Sequence, residues 1–271
     1  MTRPLSLAAL TVLELTPPAM VRCAAEAGYS HIGIRLIPAT GTEPQHDLVG
    51  DTPLLREVEA ALADTGVQVL DAEIFRLLPG QHVAAYEAAV ATAARLGARE
   101  LLVAGNDPDG ARQTDAFAAF CALAGRYGLG AVLEFMPWTD AKDLAAAART
   151  VAQSGCANAG VLIDPFHFSR SRSRLDDIAQ VPSAQLRYLQ FCDVPAAIPS
   201  SMDAILAQAR AERLFPGEGE LDLVALLRAV PAGIPLSIEV PTQTLARTVD
   251  ATERARRALA ATRRVLAQVG E

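Results

Sequence analysis

Arg126-Tyr127-Gly128-Leu129-Gly130-Ala131-Val132-Leu133-Glu134-Phe135 is the stretch whose reading decides the fold. An Ala-rich helix runs into Gly128, where the absence of a Cβ suits the left-handed turn that ends a helix, and an apolar strand follows after two residues. The same device recurs along the chain. Ala25-Glu26-Ala27-Gly28 precedes Ile32–Leu36, Asp64-Thr65-Gly66 precedes Val67–Ile74, Arg95-Leu96-Gly97 precedes Leu101–Val103, and Gln153-Ser154-Gly155 precedes Val161–Ile163. Adding Leu5–Leu10, Leu186–Cys192 and Pro235–Val240 brings the count to eight strands.

Strand starts recur about every 30 residues, the size of a βαβ unit, and runs such as Val161-Leu162-Ile163 suit strands buried on both faces. Thr16-Pro17 and Thr52-Pro53 read as helix caps followed by proline in the first turn. Eight alternating units predict a closed (β/α)8 TIM barrel over residues 1–271, with no linker to divide it. An open dinucleotide-binding sheet would carry GxGxxG after its first strand, and that motif is missing there. The long interval from Val194 to Leu221 breaks the spacing and is expected to hold a short extra helix at Ser201–Arg210.

Composition narrows the function classes. With 51% hydrophobic and 20% charged residues the chain has material for a large core, which excludes disorder. The net charge of −7, and the lack of a Lys/Arg stripe beyond the solvated helix face at Arg254–Arg257 and Arg263–Arg264, argue against nucleic acid. Cys23, Cys121, Cys156 and Cys192 have neither CxxC nor zinc-like spacing, so reduced thiols and a cytoplasmic location are expected. Arg3 followed by Leu5–Leu13 loosely imitates a signal peptide, but Glu14 and Thr16-Pro17-Pro18 follow at once, and a buried first strand is the reading adopted. No apolar run is long enough to span a bilayer. The expected partner is a small-molecule substrate, with no membrane, and self-association into a homo-oligomer is left open.

The chemistry lies at the strand ends. Leu133-Glu134-Phe135, Ile163-Asp164-Pro165, Leu189-Gln190-Phe191 and Ile238-Glu239-Val240 each set one oxygen-bearing side chain among apolar neighbours, on four consecutive strands. Such residues cost the core heavily unless they face the barrel mouth, where the βα loops build sites. Taken singly, each is as well explained by an ion pair; four in succession point to convergence. Three carboxylates in a site of low dielectric repel, so one divalent metal ion is the natural partner of Glu134, Asp164, Gln190 and Glu239. All-oxygen donors favour Mn²⁺ or Mg²⁺, with Co²⁺ or Zn²⁺ able to substitute.

These strand ends, together with Asp164-Pro165-Phe166-His167-Phe168, Gln190-Phe191-Cys192-Asp193-Val194-Pro195 and Phe215-Pro216-Gly217-Glu218-Gly219-Glu220-Leu221, resemble the xylose isomerase-like barrels. That superfamily holds sugar epimerases, inosose isomerases and dehydratases, and 3-dehydroshikimate dehydratases. The resemblance covers most of the chain and is strongest from Ala131 to Pro241. It implies metal ligation at the same four positions and, as in the ketose epimerases, proton transfer by Glu134 and Glu239 on opposite faces of a carbonyl compound. A cation that polarises the carbonyl acidifies the adjacent C–H, and a carboxylate is then a sufficient base.

The pattern departs from each branch. Gln190 stands where the isomerases more often have His, and resembles the dehydroshikimate dehydratases; yet Met136-Pro137-Trp138-Thr139-Asp140 lacks the histidine those dehydratases carry there. With only His31, His46, His82 and His167, a multi-metal endonuclease site is not expected. His167, three residues after Asp164, is a candidate catalytic or ligand-orienting group. Arg35, Glu73, Arg76, Trp138 and Arg213 are candidate substrate contacts, each with an alternative role in packing or ion pairing. The Pro216-Gly217-Glu218-Gly219 loop lacks Lys and Walker spacing, and reads as a tight turn into a helix at Leu223. The leading expectation is a metal-dependent isomerase or epimerase of a small keto-sugar, cyclitol or related polyhydroxylated carbonyl compound. A lyase or dehydratase using the same enolate is the alternative, and a catalytically inactive metal-binding scaffold or partner subunit is a third.

Overall fold

The computed structural model describes residues 3–271. Eight strands, β1 (Leu5–Leu7), β2 (His31–Arg35), β3 (Gln68–Leu77), β4 (Glu100–Gly105), β5 (Gly130–Glu134), β6 (Ala159–Ile163), β7 (Leu186–Phe191) and β8 (Leu236–Ile238), close into a barrel in chain order. Every neighbouring pair is parallel, and β1 closes the ring by pairing Ser6 with Ser237 on β8. The protein is a (β/α)8 TIM barrel, as its strand–helix alternation predicts.

The local signals act as expected, with one correction. Gly28, Gly66, Gly97, Gly128 and Gly155 all have φ between 64° and 94°, the region that side-chain-bearing residues avoid. Thr52 caps the helix Pro53–Thr65 by accepting from the Leu55 amide at 3.0 Å. Thr16 stands at the corresponding position before Pro17–Ala27 but makes no side-chain cap bond. Pro17 and Pro18 fill the first two helical positions, so the Ala19 amide is the first one open to a cap, and the Thr16 side chain does not engage it. The extra helix of the long interval spans Met202–Ala211, with Ser201 as its cap.

Strict alternation along the strands splits the core into two layers. Leu101, Val103, Leu133, Val161, Ile163, Leu189 and Phe191 face the helices, and Leu70, Leu102, Val132, Leu162 and Tyr188 fill the barrel interior. Each fully buried aliphatic side chain contributes about 1.5–3 kcal/mol, so the layered pattern holds the register firmly. Glu134 lies two residues beyond Val132, Gln190 two beyond Tyr188 and Asp164 two beyond Leu162. The parity that sends the apolar partner inward therefore sends the polar residue inward one layer higher, at the mouth.

Candidate metal and substrate site

Glu134, Asp164, Gln190 and Glu239 are all buried, none more than 4% exposed. Asp164 Oδ1 accepts from the Phe166 amide at 2.7 Å, capping the short helix Pro165–Arg170 that carries His167. This turn brings His167 Nε2 to 3.6 Å from Glu134 Oε1 and 3.8 Å from Asp164 Oδ2. Glu134, Asp164 and His167 each offer one ligand atom within 4.8 Å of one another. Gln190 Nε2 donates to Glu239 Oε1 at 3.0 Å, which leaves the Gln190 Oε1 acceptor buried without a partner.

Arg213 sits among these groups. A pair of antiparallel bridges, Asp193 to Leu214 and Glu212 to Thr242, lays its segment across the barrel mouth. Its Nη1 donates to Asp164 Oδ2 at 2.6 Å and lies 3.0 Å from Glu239 Oε2, while Nε donates to the Ala209 carbonyl. Its guanidinium also covers the Phe166 ring at 5.0 Å. The sequence reading treats Arg213 as a substrate contact; in the structure its closest charged partners are two of the carboxylates expected to bind metal.

One guanidinium does not balance the cluster. Burial raises the Glu134 carboxyl well above the carboxylate range, and the charges of Glu239 and Asp164 push it further. Burial also lifts Glu239, to about 7, against the opposing pull of Arg213. Asp164 alone of the three carboxyls is lowered, because the Arg213 charge and hydrogen bond and the Phe166 amide oppose its burial. His167 is driven down to about 3 by burial, so its imidazole is neutral and its nitrogens are available as donor or ligand. The donor set thus holds more negative charge than its surroundings neutralise, and it keeps an unused amide oxygen. A divalent cation relieves both deficits, and these residues fit one.

The rest of the mouth is lined from β2, β3 and the loops. Arg35 Nη1 donates to Glu43 Oε2 at 2.9 Å and its Nε lies 3.3 Å from Glu73 Oε1, so a buried ion-pair relay joins three of the lining residues. Arg76 reaches Asn106 Oδ1 and the Ala39 carbonyl. Trp138 stands edge-to-face on His167, with ring centroids 5.0 Å apart. Arg35, Glu73, Arg76, Trp138, His167 and Arg213 therefore line one cavity with Glu134, Gln190 and Glu239, as does Arg210. Glu43 and Arg210 escape the sequence reading. Glu43 lies in a loop without periodicity, and Arg210 reads as one more solvent-facing position of an amphipathic helix.

Below the mouth, Tyr188 donates to Asp71 Oδ2 at 3.2 Å inside the barrel. Gly33 leaves the room for this carboxylate, since a Cβ there would lie 2.7 Å from Asp71 Oδ1. The Pro216-Gly217-Glu218-Gly219 loop is the tight turn expected. Asp193 accepts from the Val194, Gly217 and Leu221 amides, and Gly217 takes φ of 81°.

A closed parallel barrel with carboxylates gathered at its C-terminal mouth defines an α/β-barrel with an enzyme-like site. The chain belongs to the xylose isomerase-like TIM barrel family, whose pattern it matches over residues 21–265. A 3-dehydroshikimate dehydratase of Pseudomonas aeruginosa is 34% identical over 106 residues, 38% of this chain and 15% of that protein. The IolI protein, solved with a bound zinc atom, superimposes with a TM-score of 0.81 at 18% identity, covering 98% of both chains. D-allulose 3-epimerase from a Methylomonas species, in complex with D-allulose, does so with a TM-score of 0.70 at 16% identity over 97% of this chain and 98% of its own. A fusion of such a barrel with a 4-hydroxyphenylpyruvate dioxygenase gives 0.79 at 22% identity, over 96% of this chain and 42% of that one. The chain thus spans under half the length of the fusion and about a seventh of the dehydratase relative. These relatives include an epimerase and a dehydratase. Among the described residues, no helix is long and apolar enough to cross a membrane.

Proposed function

We propose that this chain is a divalent-metal-dependent isomerase or epimerase of a small keto-sugar, cyclitol or related polyhydroxylated carbonyl compound, working in the cytoplasm. The observation that carries the reading is the cluster of Glu134, Asp164 and His167, with the Glu239 carboxylate and the unpartnered Gln190 oxygen beside it at the barrel mouth. Glu134, Asp164, Gln190 and Glu239 would hold the ion, with His167 Nε2 within reach as a further donor. When bound, Mn²⁺ or Mg²⁺, or Co²⁺ or Zn²⁺ in their place, supplies the positive charge that makes enediolate formation less costly.

The chain's own residues do the remaining work. Glu239 loses its proton when the ion is held, and the resulting carboxylate suits removal of a proton from the carbon next to the carbonyl. Glu134, likewise a carboxylate when the ion is held, suits return of a proton, taken up from solvent, to the other face. Neutral His167, braced by Trp138, orients a substrate hydroxyl. Arg213 keeps Asp164 ionised. The 34% identity to a dehydratase supports a second reading, a lyase in which the same carbanion expels a β-hydroxyl.

Incubation with keto-sugars, inososes and dehydroshikimate in D₂O, with each metal and with chelator, separates the two. An epimerase or isomerase places deuterium at the α-carbon of recovered material; a lyase gives an unsaturated product absorbing in the ultraviolet. Neither signal across the panel, with metal bound stoichiometrically, overturns both readings and leaves the inactive scaffold. For Glu239→Gln, a loss of exchange of about 10²–10⁴-fold is expected.

A further inference from the structure

The cavity at the mouth carries four arginines, and they are not equivalent. Arg35 is matched by Glu43 and Glu73, and Arg213 by Asp164 and Glu239. Arg76 and Arg210 line the same cavity, yet among the described residues no carboxylate lies within ion-pair distance of either. Arg76 is half-buried, and its position is fixed. The Tyr86 hydroxyl donates to its carbonyl and accepts from its amide, Asn106 Oδ1 and the Ala39 carbonyl orient its guanidinium, and all these partners are neutral. Burial, together with the charges of Arg210 and Arg35, works against its own charge and outweighs the attraction of Glu134 and Glu43, neither of which lies within ion-pair distance. A guanidinium held in a fixed pose without a counter-ion, beside a second unpaired one on the helix Met202–Ala211, is an anion-binding arrangement, because its planar fork matches an oxyanion in two bonds.

We infer that Arg76 and Arg210 form an oxyanion subsite, so that the substrate is a polyhydroxylated carbonyl compound bearing a carboxylate or a phosphate away from the reacting carbon. This inference rests on the proposed carbonyl chemistry for the identity of the compound, but the subsite itself is read by binding alone. Arg35 and Arg213 do not serve, since recruiting either to a ligand strips a buried carboxylate of its partner. An anion placed on Arg76 and Arg210 breaks no ion pair.

Trp138 is the only tryptophan and lines this cavity, so its fluorescence reports occupancy without turnover. Metal-loaded protein is titrated with D-fructose, 5-keto-D-gluconate and D-fructose 6-phosphate, in low salt and in 0.5 M NaCl. Binding of at least one anionic probe roughly tenfold or more tighter than the neutral ketose is expected, as a charge-assisted contact predicts. Which anion gains more distinguishes a carboxylate from a phosphate monoester. High salt, Arg210→Gln and Arg76→Gln should each reduce the ratio of anionic to neutral affinity, and the double variant should bring it near one. Arg210 is exposed, so its variant keeps the test open if Arg76→Gln fails to fold. Equal binding of neutral and anionic probes to the wild type, or a preference that survives the double variant, overturns the inference. Failure of D₂O exchange would instead remove the isomerase reading while leaving a measured anion preference in place.

Discussion

Replacing Arg213 by methionine tests the electrostatic account of the site. The guanidinium is buried, bonds Asp164 Oδ2 at 2.6 Å, lies 3.0 Å from Glu239 Oε2, and is itself held charged because these two carboxylates outweigh its burial. Methionine keeps much of the volume against Phe166 but leaves two buried carboxylates without their cation. Breaking a buried pair by removing one partner costs about 3–5 kcal/mol. At roughly 2–4 °C per kcal/mol for a chain of this size, the metal-free variant should melt roughly 6–20 °C below the metal-free wild type. A divalent ion on the same carboxylates restores positive charge, so with saturating Mn²⁺ the deficit should shrink by at least half. Differential scanning calorimetry of both proteins, chelated and Mn²⁺-loaded, reads the four values. An equal deficit with and without metal would refute the reasoning, because Arg213 would then act through packing on Phe166 and the Ala209 carbonyl rather than through charge.

Three further outcomes follow from the same structure. In the metal-free protein Glu134 and Glu239 are raised, Glu239 to about 7, so cation binding must expel their protons; Mn²⁺ affinity should fall as pH drops from 8 to 6, by up to about tenfold per unit per displaced proton, and calorimetry in buffers of different ionisation enthalpy should detect proton release. Burial and the charge of Glu73 raise the Asp71 carboxyl, so the folded state keeps a proton that the unfolded chain loses above about pH 4. That stabilisation is complete below the unfolded pKa and is lost as pH climbs toward the folded one, so Asp71→Asn should gain on the wild type in urea unfolding between pH 5 and 7, by up to about 1.4 kcal/mol per unit; a flat difference would contradict it. At the opposite end of the barrel, a Cβ on Gly160 meets the Arg187 side chain and comes within 2.9 Å of the Gln185 carbonyl, so Gly160→Ala should lower stability by about 1–3 kcal/mol without changing metal stoichiometry.

Much of this architecture is local information and was therefore open to reading along the chain. Gly28, Gly66, Gly97, Gly128 and Gly155 mark the ends of helices because a positive φ is a property of one residue, and the strand parity that turns Glu134, Asp164, Gln190 and Glu239 inward is a property of five or six. The sequence by itself determined the barrel and its eight strands, and it pointed to the strand-end residues at the mouth, though not to Glu43 or Arg210. Only the tertiary structure decided how the charges pair. Arg213 lies 49 residues from Asp164 and 26 from Glu239, and Arg35 reaches Glu43 and Glu73 from separate loops and strands. Which guanidinium meets which carboxylate depends on loop paths across the mouth, and Coulomb attraction acts through space without leaving a period in the sequence. Of the four arginines lining the mouth cavity, Arg76 and Arg210 have no carboxylate within ion-pair distance among the described residues, and this is visible only after Arg35 and Arg213 have found theirs.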